Sequence, residues 1–348
     1  MKKIAIGIDF SKKTFDATIM RREDDSFQEL GYFKFDNTPV GFKCFDKWVR
    51  TTLKGFPEAK NKFEWVFCGE HTGTYSIPLC DFLVKKRYFM WLESALVIHR
   101  RCGIVREKND RIDSRRIAEY ALRDFSDAVR PYELDSKDMK KLKSLYTAHE
   151  MLIKDKIAKI NQIKSGVLDD SSLALRQIEK QLDSIGSALR TIDRDIRKLV
   201  SESDEFKENY GILDSFKGVG TLTIACLIIK TRNFKDMTDP RELGCYIGVV
   251  PHHCQSGTSI DKPVRTSRYR DRGANAALTS CATVAIRFNP AIQTYYRRLI
   301  ARGVHPNKAK NNCKFKIINI LLSMLKTRTK FDMEKYGKSV AQWGNASA

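Results

Sequence analysis

No apolar run in the sequence reaches the roughly 18 to 20 residues that a membrane-spanning helix needs. The longest lie around Ile224 to Ile229 and Ile317 to Leu325, so a bundle of membrane helices is excluded. The start, MKKIAIGIDF, is basic, but its apolar stretch is short and contains Asp9; no secretory signal is expected, and the protein is expected to be soluble and cytoplasmic. Nine cysteines stand at positions 44, 68, 80, 102, 226, 245, 254, 281 and 313, an odd number with no close pair and no histidine at zinc spacing. Reduced thiols that fill core space are expected, rather than a disulfide scaffold or a zinc finger. Glycine and proline are sparse, at 19 and 9 of 348 residues, which excludes collagen-like and low-complexity chains. What the chain lacks most is negative charge: 42 Asp+Glu face 63 Lys+Arg, a formal net charge of +21.

At 42% hydrophobic and 10% aromatic, the chain has the apolar mass of a folded protein. Its basic excess is local. Lys85 to Arg116 holds 10 basic and 4 acidic residues, and Lys262 to Lys330 holds 16 basic residues with one acid, Asp271. These two segments carry the whole net charge, which favours a polyanionic partner.

The pattern divides the chain at about residues 130, 205 and 332. Over residues 1–130, Ile4, Ile6 and Ile8 alternate up to Asp9, and strands follow at Phe15 to Met20 and Gln28 to Phe35. A helix at Val40 to Leu53, a strand from Phe63 to Cys68 closed by Glu70, a helix at Ile77 to Lys86, a strand at Tyr88 to Leu92 and a helix at Asp110 to Arg123 complete an α/β domain with a mixed sheet. In residues 131–205, Leu175, Ile178, Leu182, Ile185, Leu189, Ile192, Ile196 and Leu199 recur at alternating spacings of three and four, a coiled-coil seam. An earlier helix carries Leu142, Leu145, Ile153, Ile157, Ile160 and Val167. Spacing alone fits both an intramolecular hairpin and a dimerisation arm. Residues 206–332 are mainly helical, with helices at Leu222 to Lys230, Asn275 to Phe288, Ala291 to Arg302 and Lys308 to Thr327, a basic loop or hairpin at Ser256 to Arg270, and a tail at 333–348.

Asp9 and Glu70 each close an apolar strand, and Asp110 and Asp113 lie three apart at a helix start in KNDRIDSRR. Taken singly, each has a plain explanation: a turn aspartate, a loop acid, an N-cap and a first-turn acid. Together, four acids at strand ends and a helix start can converge hard oxygen ligands on two Mg²⁺ ions, the arrangement used for phosphodiester transfer. Arg100, Arg101, Arg106, Lys108, Arg111, Arg115 and Arg116 flank the aspartate pair, as suits a site for a polyanion. In Leu213 to Ala225, a Gly218-Val219-Gly220 turn before a helix is similar to a helix-hairpin-helix, whose backbone amides meet a nucleic-acid phosphate; a plain glycine turn is the simpler reading. Gln255-Ser256-Gly257 alone is a weak signal, because serine beside glycine is usually a turn.

The segments GIDFSKKTFD, GEHTGTY and KNDRIDSRR resemble the Asp-Glu-Asp-Asp signature of the DEDD transposases of the insertion-sequence-110 family. FKGVGTLTIA, CYIGVVPHHCQSG and the basic helical tail resemble that family's C-terminal transposase domain, so the likeness runs from Ile4 to about Lys330. It implies a RuvC-like first domain of ribonuclease H type, a coiled-coil arm and a mainly α transposase domain. It also implies that Asp9, Glu70, Asp110 and Asp113 hold Mg²⁺ in a two-metal site, and that Ser256, after Gly248 to Pro251, is the nucleophile. Arg265, Arg268, Arg270 and Arg272 would then neutralise phosphate near the serine.

The resemblance further implies a recombinase that cuts and rejoins donor and target DNA through a covalent phosphoserine link, guided by a non-coding bridge RNA. Dimers would pair into tetramers, the acidic site of one subunit meeting the serine domain of another. The alternatives are a hydrolytic RuvC-like nuclease, a site-specific invertase without a guide RNA, and a non-catalytic nucleic-acid scaffold.

Overall fold

In a computed structural model, the structure describes residues 2–24, 26–101, 109–166, 173–256 and 260–334, with the backbone alone for 58–59, 253–256 and 260–264. The chain divides into two compact units, Met1–Leu134 and Asp135–Ala348.

The first unit is built on a five-stranded sheet. Strands β1 (Ile4–Phe10), β2 (Thr14–Glu23) and β3 (Ser26–Asp36) form an antiparallel meander, and β4 (Trp65–Glu70) and β5 (Met90–Glu93) run parallel to β1, giving the order β3-β2-β1-β4-β5. The alternation seen in the sequence sorts the strands' residues by face. Ile4, Ile6, Ile8, Phe15, Ala17, Ile19, Trp65 and Phe67 enter one core, which helices α1 (Pro39–Leu53) and α2 (Ile77–Lys85) cover with Phe42, Phe45, Val49, Leu79 and Leu83. Ala5, Met20, Val66, Cys68 and Trp91 face the other side, against Ile117, Ala118, Tyr120 and Ala121 of helix α4 (Asp110–Asp124). A short helix, α3 (Ala95–Arg101), which the periodicity did not reveal, precedes α4.

The second unit opens with two long helices, α5 (Lys137–Lys164) and α6 (Leu173–Glu202), which pack on each other as a hairpin. The seam closes unevenly. Of its positions, Leu142, Leu189 and Ile196 are buried, whereas Ile157 is 53% exposed. Val167 lies outside the described residues. The remaining helices are α7 (Lys207–Asp214), α8 (Thr221–Lys230), α9 (Pro240–Ile247), α10 (Arg272–Phe288), α11 (Pro290–Ala301) and α12 (Pro306–Thr327), of which α7 and α9 are short helices absent from the sequence reading. They enclose a core of Phe206, Leu213, Phe216, Ile224, Leu227, Leu278 and Ile317. The basic segment after α9 is a hairpin of β6 (Pro251–Ser256) and β7 (Ile260–Thr266). No helix among the described residues is long and apolar enough to cross a membrane, and the described cysteines are free.

Candidate active site

Residues directly opposite one another in a sheet share a face, so the register fixes which polar side chains meet. Asp9 stands opposite Asp16 on β2, and Asp16 opposite Lys34 on β3. On the other flank Ile8 pairs with Gly69, which brings Glu70 level with Asp9, and Glu70 stands opposite Glu93 on β5. One row of charged residues, Lys34-Asp16-Asp9-Glu70-Glu93, therefore crosses all five strands on the face that α4 covers.

Gly7 lets α4 come down onto this row. A Cβ there would lie 2.1 Å from the Ser114 carbonyl oxygen and 2.3 Å from the Ala118 nitrogen, so only glycine admits the helix at this distance. The Ser114 hydroxyl also meets the Thr18 hydroxyl at 2.8 Å. Asn109, not Asp110, caps α4: its side chain accepts from the Ile112 N–H at 2.8 Å. Asp110 and Asp113 are thereby free of capping duty and occupy the first turn, above the row.

The electrostatics report the convergence. Asp9 is pushed up from 3.8 to about 7, first by burial and then by the neighbouring charges of Asp113, Asp110, Glu70 and Asp16. All four acids of the sequence signature thus interact through Asp9, together with a fifth, Asp16, which the sequence reading missed. Asp16 is buried, accepts from the Tyr32 hydroxyl and pairs with Lys34 at 3.3 Å; Lys34 reaches Asp110 at the same distance. Glu93 accepts from the Tyr120 hydroxyl at 3.2 Å and from the Ser94 N–H at 2.7 Å.

An acid raised to about 7 by burial and then by four neighbouring acids is a group that a divalent cation would relieve, and the donors are all hard carboxylate oxygens, as Mg²⁺ requires. The donor chemistry fits. Among the described residues, however, no three acids stand close enough to enclose an ion in this arrangement.

The basic residues expected around the aspartate pair are partly engaged. Arg111 donates to Glu29 at 2.9 Å and lies over the Tyr32 ring, Arg115 pairs with Glu119 at 3.0 Å, and Arg116 lies 3.9 Å from Asp113. Arg100 and Arg101 are exposed at the end of α3, where Arg101 pairs with Asp124 at 3.5 Å. Lys108 and Arg106 lie outside the described residues.

In the second unit, Ser256 closes β6 opposite Ile260; its side chain lies outside the described atoms. Arg265, Arg268, Arg270 and Arg272 are exposed along β7, the following loop and the first residue of α10. The base of the hairpin is fixed by polar side chains: Asn311 donates to the Val249 carbonyl at 2.7 Å and Asn275 to the Ile247 carbonyl at 2.9 Å. Asp271 caps α10 through the Ala274 N–H and pairs with Lys230 at 2.8 Å; these contacts outweigh the effect of its burial and hold its carboxyl below the usual value. Not every basic residue of this segment is at the surface, since Lys314 and Lys316 are buried.

Gly218, with φ of +121°, turns the chain between α7 and α8, and a Cβ on it would lie 2.8 Å from Ala285 of α10. Gly220 begins α8 without a side-chain cap. Both line a cavity of about 830 Å³, with Lys154, Arg194 and Arg197 among its walls.

Two family models match the chain. One, described as a transposase of the DEDD IS110 type, covers residues 6–172, and the other, described as the transposase IS116/IS110/IS902 family, covers residues 210–297. The chain is 24% identical over 337 residues to a pilin gene-inverting protein of Moraxella bovis, spanning 95% of this chain and 98% of that one. It is also 28% identical over 152 residues to an uncharacterized 43.6 kDa protein of insertion element IS110 from Streptomyces coelicolor, spanning 43% and 37% of the two chains.

Proposed function

The chain belongs to the IS110 family of transposases, and from that premise we propose that it is a DNA recombinase whose first unit is a RuvC-like, ribonuclease H type domain and whose second unit carries the nucleophile, Ser256. The observation that carries this reading is the row of acids beneath the first turn of α4, where burial and the neighbouring carboxylates raise Asp9 to about 7.

Asp9, Glu70, Asp110 and Asp113 would hold divalent cations, with Mg²⁺ the expected ion. Bound there, a pair of cations supplies charge neutralisation at the scissile phosphate. Asp9 and Glu70 approach from adjacent strand ends and the two aspartates of α4 from above, so ligands come from both layers. Ser256 attacks the phosphorus, the 3′-oxygen leaves as a hydroxyl, and a phosphoserine link remains. Attack by another 3′-hydroxyl on that link releases the serine and joins new strands. Arg265, Arg268, Arg270 and Arg272 bind phosphates near the serine, and the Gly218–Gly220 turn, with Lys154, Arg194 and Arg197 beside it, tracks the nucleic-acid backbone. The substrates are donor and target DNA in the cytoplasm, the guide is a bridge RNA, and the α5–α6 arm supports a dimer and tetramer.

Suicide DNA substrates incubated with Mg²⁺ test the reading. Wild type should leave a covalent protein–DNA adduct that Ser256→Ala and Asp9→Asn both abolish; cleavage that persists in Ser256→Ala assigns a hydrolytic nuclease instead. The Moraxella bovis relative, named as a pilin gene-inverting protein, favours a second reading, site-specific inversion of a DNA segment. Sequencing of RNA that co-purifies with the protein separates the two: one abundant non-coding species supports guidance, and heterogeneous cellular RNA supports unguided inversion.

A further inference from the structure

The acidic row contains one cation of its own. Lys34 projects from the edge strand β3 and its ammonium lies 3.3 Å from Asp16 Oδ2 and 3.3 Å from Asp110 Oδ2. These contacts differ in character. Asp16 is buried, fixed by the Tyr32 hydroxyl and set directly opposite Lys34 in the sheet, so that contact is built into the register. Asp110 belongs to another layer, its side chain is 64% exposed, and its contact with Lys34 is the link between edge strand and helix. Arg111, the next residue of α4, repeats the link by donating to Glu29 and lying over the Tyr32 ring.

We propose that Lys34 is the built-in counter-ion of this site: it occupies Asp110 while no divalent cation is bound, yields that carboxylate to the cation, and stays anchored on Asp16. The physical reason is that a carboxylate oxygen cannot serve an ammonium and a metal ion fully at once. The positive charge of Lys34 also opposes the approach of a second cation within a few ångströms. Without some compensation, Asp9, Glu70, Asp16, Asp110 and Asp113 would repel one another where α4 meets the sheet, a costly arrangement in a partly buried place. Lys34 lowers that cost and in return weakens metal binding. It is a positioning residue that sets the affinity of the site, and the inference rests on the proposed role of the four acids as metal ligands.

The test is calorimetric titration of Mn²⁺ into the full-length protein, without DNA, for wild type, Lys34→Met, Lys34→Gln, Asp9→Asn, Asp110→Asn and the double variant Lys34→Met/Asp110→Asn. Lys34 is half exposed, so its two variants should fold, as near-ultraviolet circular dichroism will show. Both should bind Mn²⁺ roughly 3- to 10-fold more tightly than wild type, and the gain should be clearly smaller when Asp110 is already asparagine, because only the repulsion between Lys34 and the cation then remains. Unchanged or weaker binding in both Lys34 variants overturns the proposal, as does a full gain that persists in the double variant. If wild type binds no Mn²⁺, or Asp9→Asn binds it equally well, the metal-site reading itself falls; binding that Asp9→Asn abolishes but Lys34→Met leaves unaltered removes only the role of Lys34.

Discussion

Gly7 and Ser114 are in backbone contact: a Cβ on Gly7 would sit 2.1 Å from the Ser114 carbonyl oxygen. This close approach of β1 and α4 lies two residues before Asp9 on the strand and one after Asp113 on the helix. The contact that lets the helix dock is therefore also the one that sets the height of its acids above the row.

Gly7→Ala tests that dependence. The methyl group has no flexible side chain to push aside, only backbone, so α4 must lift. The variant should lose on the order of 1–3 kcal/mol in urea denaturation, at the upper end for overpacking. It should also lose any stabilisation by Mg²⁺, because Asp110 and Asp113 move with the helix. A variant with wild-type stability and an unaltered Mg²⁺ response would show that α4 is held elsewhere.

Asp9 links the site to pH. Its carboxyl stays protonated in the folded chain up to about 7, against 3.8 for the ordinary group, so the native state holds the extra proton between those values. Stability from this group is fully present below 3.8 and is lost as pH rises through 7. Asp9→Asn removes that loss. After allowance for solvent screening of a partly exposed group, the variant should be about 1–2 kcal/mol more stable than wild type at pH 8 in EDTA, with the difference fading towards pH 4. Chemical denaturation at the two pH values measures it, and equal stabilities at pH 8 would remove the repulsion from the account.

The parts of this site that local pattern encodes were legible, and the parts that register creates were not. Alternation gave β1 and β4 and put Asp9 and Glu70 at their ends; the KNDRIDSRR start of α4 gave Asp110 and Asp113. Glu93 ends β5 as Glu70 ends β4, a signal of the same kind that was present in the sequence and passed over. Asp16 and Lys34 carried a weaker one. Asp16 lies mid-pattern in β2, between Phe15 and Ala17, and its burial follows from α4 arriving over that face, which no spacing within β2 reveals. The pairing of Lys34 with Asp16 depends on the β2–β3 register, and the bulge between Ile19 and Met20 is part of that register. Helices α3, α7 and α9, of seven or eight residues, are too short to display a period.

In the helical arm, burial separates the fold from assembly. Ile196→Ala empties a fully buried position and should cost about 2–5 kcal/mol. Ile157 is 53% exposed, so Ile157→Asp should change stability by no more than about 0.5 kcal/mol. If the distal seam pairs with a second copy, the same variant should lower the mass seen by light scattering. An unchanged mass would leave α5 and α6 as an intramolecular hairpin.

The two glycines ahead of α8 differ in the space around them. Gly218 has φ of +121° and its missing Cβ would meet Ala285 Cα at 2.8 Å, so alanine there is opposed both by the backbone and by α10. Gly220, with φ of −95°, has nothing within 4 Å of that position. Gly218→Ala should cost on the order of 1–3 kcal/mol. Gly220→Ala should stay within about 0.5 kcal/mol of wild type. The pair separates folding from contact with nucleic acid. If the α8 amides meet a phosphate closely, a methyl at Gly220 should weaken DNA or RNA binding in a filter assay several-fold while the denaturation midpoint stays put. Binding equal to wild type in that variant would make the Gly218–Gly220 segment a structural turn alone.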